Sequence, residues 1–173
     1  MGSLMRNGIG YSNTDTGVLM RNGINYTGGV VTLVPTALVP TMSSNTQGGY
    51  TARASSEWDS SYQAYMCFDN TDATEWAPLN GQPSNWVEIE MPEAKIASRI
   101  IVKTRSGSFY ARSVTLQGSN DGVTYTTLGT ISGIGKGASV TFTNIPRTAY
   151  SIFRFVIDDY GLSEIYIEGY AQV

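Results

Sequence analysis

Histidine is absent from this sequence, and cysteine occurs only once. Without histidine the chain can form neither a Ser-His-Asp or Cys-His nucleophilic site nor a zinc site with histidine ligands. The one cysteine, Cys67, has no partner for a disulfide within the chain, and its neighbours Met66 and Phe68 are apolar. We therefore expect Cys67 to be a buried, inert thiol and not a nucleophile.

Charge is also scarce: Asp, Glu, Lys and Arg make up 14% of the 173 residues, and the net charge is −3. No segment collects lysine and arginine, so a nucleic-acid groove has no electrostatic basis. No apolar run approaches the roughly 20 residues of a membrane span, and no apolar segment typical of a secretion signal follows the first residues. We expect no nucleic-acid partner, no membrane insertion and, for a protein acting outside a cell, export by something other than a signal on this chain.

Glycine and tyrosine, in contrast, are abundant, with 19 and 11 residues. Low charge together with many Thr, Ser, Gly and Tyr residues is typical of all-β extracellular or virion proteins. The length suffices for one domain with a hydrophobic core and a short additional segment.

A repeat occupies most of the first thirty residues. The sequence LMRNGIGYS, which begins at Leu4, recurs as LMRNGINYT from Leu19. Each copy has Asn-Gly between short apolar flanks, a strong signal for a β-hairpin. Two small hairpins bury little surface, so we expect residues 1–34 to pack against copies of themselves or another chain. The repeat resembles segments of phage tail and fibre proteins; a flexible leader with chance similarity is the alternative.

Short strands with turn residues between them are predicted for the rest of the chain. We predict strands at 30–34, 50–54, 86–91, 99–105, 139–143, 150–157 and 163–170, and a hairpin at 113–128. In the second arm of the hairpin, Val123, Tyr125 and Thr127 occupy every other position, the pattern of a strand. Pro92 is expected to end the strand at 86–91. One helical turn is expected within 62–68, and 69–81 is expected to be an irregular loop. The pattern favours a β-sandwich at 42–173, preceded by the hairpin repeat and a linker at 1–41.

Five segments resemble, in the same order, the discoidin family, also called coagulation factor V/VIII type C domains. The fold of this family is shared by family 32 carbohydrate-binding modules. The segments are Ala54-Ser55-Ser56, Phe68-Asp69-Asn70 with Thr74 and Trp76, NWVEIEM at 85–91, TLQGSNDGVTYTTL at 115–128 and SEIYIEGY at 163–170. The resemblance implies a jelly-roll sandwich of the galactose-binding-like type.

The resemblance also implies a calcium site in the loop 69–76. Family members use an aspartate, a residue two positions later, a threonine and a glutamate of the closing strand, together with backbone carbonyls. The corresponding candidates here are Asp69, Thr71, Asp72, Thr74 and Glu164. The chain departs from the family at Asn70, where glycine is usual, and at Thr71, where Asp or Asn is usual, so Asp72 is a possible substitute. Oxygen ligands suit a structural Ca²⁺; the alternative is a metal-free loop in which Asp69 caps backbone amides.

Sugar binding is the second property implied by the resemblance, because the ligand loops of the family lie at one end of the sandwich. The matching loops are 55–62, 106–112 and 158–162. They and their borders carry Glu57, Trp58, Asp59, Arg105, Phe109, Tyr110, Arg112, Asp159 and Tyr160. Aromatic rings stack on sugar faces while polar groups bind hydroxyls, and an exposed loop tryptophan indicates a binding role. The alternative is that Trp58 packs on the sandwich edge. The galactose-contacting histidine of the family has no counterpart, which puts galactose itself in doubt.

Paired carboxylates are the remaining chemistry to consider. Asp158-Asp159 and the Asp69, Asp72 and Glu75 group resemble acid–base pairs for glycoside cleavage, but adjacent strand residues point to opposite faces, and the second group fits a metal loop better. We therefore expect that this protein is not an enzyme.

The function that this sequence predicts is carbohydrate binding without catalysis, by a discoidin-like domain of a phage tail or fibre protein that attaches the virion to host surface glycans. Its partners would be other virion proteins and copies of itself through residues 1–34. The alternatives are a structural virion domain without sugar binding and a carbohydrate-binding module of a bacterial secreted enzyme.

Overall fold

The structure is a computed structural model that describes residues 4–6, 9–11, 19–21, 24–25, 33–79, 84–158 and 160–172. The chain divides into two compact units, Met1–Val34 with Ala171–Val173, and Pro35–Tyr170. The boundary between residues 41 and 42 stays a prediction.

The first unit contains a four-stranded antiparallel sheet in the order β1-β2-β3-β4. Its strands are β1 Leu4–Arg6, β2 Ile9–Tyr11, β3 Leu19–Arg21 and β4 Ile24–Asn25. β1 pairs with β2 and β3 pairs with β4, so each copy of the repeat forms the predicted hairpin. The Asn-Gly turns at 7–8 and 22–23 lie outside the described residues.

The other strands form two antiparallel sheets, which confirms the predicted all-β class. They are β5 Leu33–Ala37, β6 Thr46–Gln47, β7 Tyr50–Ala54, β8 Asn85–Lys95, β9 Arg99–Thr104, β10 Ser113–Ser119, β11 Thr126–Ser132, β12 Ser139–Phe142, β13 Tyr150–Ile157 and β14 Leu162–Gln172. The sheet orders are β11-β10-β13-β8-β7-β6 and β12-β9-β14-β5. The predicted helical turn is a 3₁₀-helix, Ala64–Cys67. No helix in the described part of the chain is long and apolar enough to cross a membrane.

The hydrophobic core lies between the two sheets because alternate residues of their strands point inward. On the six-stranded sheet, Val87 and Ile89 of β8 and Leu116 of β10 are completely buried. Ile100 and Val102 of β9 belong to the same cluster on the four-stranded sheet. Each such side chain contributes roughly 1.5–3 kcal/mol by leaving water. The alternation that predicted the strands is therefore the alternation that builds the core.

The prediction that Pro92 ends the strand at 86–91 is wrong. β8 continues through Pro92 to Lys95, because its pairing with β13 is irregular between Ile152, opposite Glu90, and Tyr150, opposite Lys95. Pro92 lies within this irregularity, where a missing backbone N–H breaks no ladder bond. The predicted strand at 30–34 is described from residue 33, as β5, and extends to Ala37.

The second arm of the central hairpin begins later than predicted, at Thr126, and Val123 is 83% exposed in the connecting loop. The Asp121 carboxylate accepts hydrogen bonds from the backbone N–H groups of Val123 and Thr124, at 2.9 and 2.8 Å. Gly122 adopts a φ of 69°, which favours glycine. The Asp121 side chain therefore closes the loop at 120–125 that connects the two arms.

Trp76 connects three parts of the sandwich. It is completely buried, and its backbone exchanges hydrogen bonds with that of Leu162 on β14, at 2.9 and 3.1 Å. Its indole N–H donates to the Ser56 carbonyl at 2.9 Å. The loops 55–62 and 69–79 are consequently held to each other and to the start of β14.

Candidate functional site

A cavity of about 330 Å³ lies among the loops that the sequence predicted to bind sugar. Its lining residues are Trp58, Tyr62, Ala77, Pro78, Arg105, Phe109 and Tyr160. Four of the nine predicted sugar-binding residues therefore meet at this aromatic cavity: Trp58, Arg105, Phe109 and Tyr160. They come from three separate loops, and the sandwich brings them together.

Aromatic rings form much of the cavity wall. Trp58 is 48% exposed and Phe109 is 55% exposed, although both are large and apolar. The rings of Phe109 and Tyr160 lie 4.6 Å apart at an angle of 53°, a tilted contact. The Trp58 backbone N–H donates to the Ala77 carbonyl at 2.8 Å, which holds the tryptophan loop beside the loop 69–79. The cavity thus has open apolar faces on a fixed backbone.

Arg105 supplies the positive charge at the cavity. Its guanidinium lies 5.4 Å from the centroid of the Tyr62 ring and forms an ion pair with Glu75. Its buried Nε–H has no hydrogen-bond partner in the described part of the chain. An unsatisfied buried donor of this kind costs about 1–3 kcal/mol.

Glu57 and Asp59 have structural partners and do not line the cavity. The Glu57 carboxylate accepts hydrogen bonds from the Ala64 backbone N–H at 2.8 Å and from the Asn45 side chain at 3.2 Å. The Asp59 carboxylate accepts from the Ser61 backbone N–H at 2.7 Å, which closes a short turn. These two acids support the loop that carries Trp58.

Tyr110 and Arg112 also lie outside the cavity lining. Their side chains contact each other, with the Arg112 guanidinium 5.7 Å from the Tyr110 ring centroid. The backbone N–H groups of Arg112 and Ser113 donate to the Asp158 carboxylate, both at 3.0 Å. Asp159, the ninth predicted residue, lies outside the described residues.

Sequence reasoning missed four residues at or beside the cavity: Tyr62, Ala77, Pro78 and Glu75. Tyr62 was detectable as an aromatic residue in the same loop as Trp58. The other three follow or precede Trp76 in the long irregular loop, and no sequence pattern indicates that this loop turns toward Arg105.

The five predicted calcium ligands occupy the acidic loop, which we define as residues 69–76, and the facing strand β14. The Thr71 backbone N–H donates to Asp69 Oδ1 at 3.2 Å and to Glu164 Oε2 at 3.0 Å, so two carboxylates converge on one amide. The Thr74 hydroxyl donates to Asp69 Oδ2. Asp72 forms an ion pair with Lys103. Asn70 has a φ of 59°, a conformation that glycine adopts readily and that asparagine tolerates better than most residues.

Two features of the acidic loop suit a divalent cation. Glu164 is 1% exposed, and burial together with the negative charge of Asp69 raises its pKa to about 8. A cation between the two carboxylates would remove that repulsion. The donors are all oxygens, as Ca²⁺ prefers. Among the described residues, however, no three His, Cys, Asp or Glu side chains group as a metal site, so hydroxyl or carbonyl oxygens would have to complete the shell.

The sequence and fold match known binding domains. The F5/8 type C domain family matches residues 51–166. No curated protein resembles the sequence closely enough to count as a match.

Solved structures of carbohydrate-binding modules share the sandwich. Chitosan-binding module 1 from a chitosanase/glucanase of Paenibacillus sp. IK-5 is 26% identical, with a TM-score of 0.61 over 70% of this chain and 96% of that chain. Chitosan-binding module 2 of that enzyme, in complex with chitotriose, is 23% identical, with a TM-score of 0.61 over 70% and 97%. The family 32 module of C. perfringens NanJ, in complex with galactose, is 16% identical, with a TM-score of 0.65 over 79% and 100%. These similarities confirm the predicted galactose-binding-like fold.

Proposed function

The chain belongs to the F5/8 type C domain family and is built like a carbohydrate-binding module, and we propose that it binds glycans in the aromatic cavity without catalysing a reaction on them. The observation that carries this proposal is the exposure of Trp58 and Phe109 around one cavity. Rings that remain half exposed have apolar faces available to the apolar face of a sugar. The Arg105 guanidinium, which lines the same cavity, adds a cationic group that can donate to a sugar oxygen.

Two classes of glycan are the first to test. The similar structures above include a module in complex with chitotriose and one in complex with galactose. Among the three, the chitosan-binding module 1 has the highest identity to this chain, 26%. The chain has no histidine, so a galactose contact through histidine is excluded. We therefore favour chito-oligosaccharides over galactosides.

The biological setting that we propose is a phage tail or fibre protein whose domain attaches the virion to glycans of the host surface. The support is the hairpin repeat, which forms two equivalent hairpins and resembles repeats of such proteins. Residues 1–34 would join copies of the chain, and several weak sites would then act together. The similarity to modules of bacterial enzymes favours, as a second candidate, a binding module of a secreted enzyme.

A glycan array with the intact protein in Ca²⁺ tests the proposed function. Trp58→Ala should reduce binding at least about tenfold, since aromatic residues at binding hot spots typically contribute about 2 kcal/mol or more. Val123→Ala is the matched control, because Val123 is exposed and apolar but does not line the cavity. A blank array from the folded wild-type protein, with both galactosides and chito-oligosaccharides present, would contradict the proposal and favour a structural virion domain.

We also propose that the acidic loop binds a structural Ca²⁺ between Asp69 and Glu164, with oxygen atoms of Thr71 or Thr74 completing the set. The convergence of two carboxylates on the Thr71 amide supports this proposal. Asp72 is not included because Lys103 neutralises it. The bound ion would link the acidic loop to β14, and the cavity residues Ala77 and Pro78 directly follow the acidic loop in the sequence.

A further inference from the structure

The two hairpins of the first unit are copies of each other in strand register as well as in sequence. In each hairpin, residues related by an offset of 15 pair in the same way. The corresponding pairs are Met5↔Gly10 with Met20↔Asn25, and Arg6↔Ile9 with Arg21↔Ile24. The second hairpin therefore repeats the strand pairing of the first hairpin, 15 residues later in the chain.

The sheet also contains one joint between repeats. β2, the trailing strand of the first repeat, pairs with β3, the leading strand of the second. Its register places Ile9 opposite Arg21, Gly10 opposite Met20 and Tyr11 opposite Leu19. The second strand of one repeat thus pairs with the first strand of the next repeat.

The same two kinds of edge recur at the two ends of the sheet. In the described sheet, β1 and β4 each have one neighbouring strand. β1 has the sequence of β3, Leu-Met-Arg, and β4 begins with isoleucine, as β2 does. An edge strand presents unpaired N–H and C=O groups that can pair with another chain, and the strands of this sheet are only two or three residues long. The edge strand β4 therefore corresponds to β2, and the edge strand β1 corresponds to β3, the two strands that pair with each other inside the sheet.

We propose that copies of this chain join head to tail, with β4 of one copy pairing antiparallel to β1 of the next in the register that β2 and β3 use. The proposal rests on the oligomerisation assigned above to residues 1–34 and specifies its contact. Ile24 lies opposite Arg6 of the partner subunit, and Asn25 lies opposite Met5 of the partner subunit. Such an interface is heterologous, so it closes into a ring or continues as a filament. A closed ring leaves no strand edge exposed.

Disulfide trapping of the full chain tests this contact. In the double variant Met5→Cys with Asn25→Cys, the two cysteines of one chain lie on opposite edges of the sheet, three strand spacings or roughly 14 Å apart. That exceeds the roughly 7 Å between Cα atoms that a disulfide spans, so only different chains can be joined. Mild oxidation should yield a ladder of covalent multimers, which ends at the number of subunits if the copies close into a ring. Each single variant should remain uncross-linked, and Cys67 is buried and common to all of them.

A shifted pair provides the matched control. Met5→Cys with Ile24→Cys moves the pairing by one residue and places the two side chains on opposite faces of the sheet. Its cross-linking should be at least about tenfold slower than that of the matched pair, because successive strand residues point to opposite sides. Equal rates for the matched and shifted pairs would overturn the register that we propose.

The other outcomes distinguish a failure of the head-to-tail contact from a failure of oligomerisation through residues 1–34 or of glycan binding. Cross-linking of the Met5→Cys single variant would show that β1 pairs with β1 and would overturn the head-to-tail contact while oligomerisation stands. A wild-type monomer by light scattering would overturn both, without affecting glycan binding, which the array measures. If the cysteine variants do not fold, hydrogen exchange of the wild-type protein decides: β1 and β4 amides should be as protected as those of β2 and β3, and rapid exchange at both edges would overturn the proposal.

Discussion

Arg154 donates a hydrogen bond from Nε to Oε2 of Glu88 at 2.7 Å, on the outer face of the six-stranded sheet, where the Glu88 side chain is only 2% exposed. Arg53 donates to the other carboxylate oxygen at 3.0 Å, and the Tyr125 hydroxyl donates to Oε2 at 2.8 Å. The Arg154 guanidinium contacts the rings of Trp86 and Tyr125, 3.9 and 3.7 Å from their centroids. Burial and the bond to Glu88 raise the pKa of Tyr125 to about 12, so it remains a donor. The carboxylate is therefore buried beneath its own partners.

Glu88→Gln should destabilise the sandwich by about 3 kcal/mol, because it leaves the Arg154 guanidinium, which is only 18% exposed, without its carboxylate partner. Urea denaturation measures the loss. Glu90→Gln is the matched control: Glu90 is on the same strand and face and pairs with Arg53, but it is 41% exposed, so its loss should stay below about 1 kcal/mol. Similar losses for the two variants would show that burial does not strengthen the Glu88 network.

Calcium should raise the melting temperature of the wild-type protein by several degrees, since a ligand at a hundred times its dissociation constant stabilises the folded state by about 2.7 kcal/mol. Asp69→Asn should abolish the increase, because it removes one of the two converging carboxylates. Asp72→Asn should retain it, because Asp72 pairs with Lys103. Thermal melts with excess Ca²⁺ and with a chelator measure the difference, and an unchanged wild-type melting temperature would count against the proposed ion.

Gly161→Ala should destabilise the protein by more than about 3 kcal/mol through a steric clash. A Cβ atom at Gly161 would lie 1.8 Å from the Trp76 carbonyl oxygen, which belongs to the bridge between Trp76 and Leu162. Relief of the clash would require breaking that bridge.

Gly107→Ala is the control for this substitution, because a Cβ atom there meets nothing within 4 Å. Its effect should stay within about 0.5 kcal/mol. Calorimetric melting of both variants measures the contrast, and equal stability would mean that the backbone at Gly161 moves more easily than the contacts of Trp76 imply.

Asp121→Ala should destabilise the central hairpin at neutral pH, and the difference from wild type should disappear in acid. Hydrogen bonds from the backbone N–H groups of Thr124 and Val123 lower the pKa of Asp121 from 3.8 to about 2. A folded-state pKa below the unfolded value gives stability that is present above about pH 4 and is lost as the pH falls through about 2. Thermal melts of both proteins between pH 2 and pH 7 test this, and a difference that did not change with pH would contradict it.

The fold class was predictable from local sequence, because alternation and turn chemistry act over a few residues. The strand predicted at 50–54 is β7, and that predicted at 150–157 is β13. The Asn-Gly pairs located both hairpins of the repeat. Local rules failed at two strand limits. β8 continues past Pro92, where its pairing with β13 is irregular, and the return strand of the central hairpin begins only after the loop that the Asp121 side chain closes.

The candidate site divides in the same way. The family resemblance indicated the loops at one end of the sandwich, and residue type indicated nine candidates in and beside them, among them Trp58, Arg105, Phe109 and Tyr160. Which of the nine candidates share a cavity was decided by tertiary structure. Glu57 and Asp59 have carboxylates of the kind that bind sugar hydroxyls, but in the structure these carboxylates accept hydrogen bonds from the backbone of their own loop and its continuation. The pairing of Arg105 with Glu75 and the burial of Glu88 beneath two arginines join residues tens of positions apart. Such contacts have no local signal, because the free energy of a charge depends on the partners and the solvent that the complete sandwich places around it.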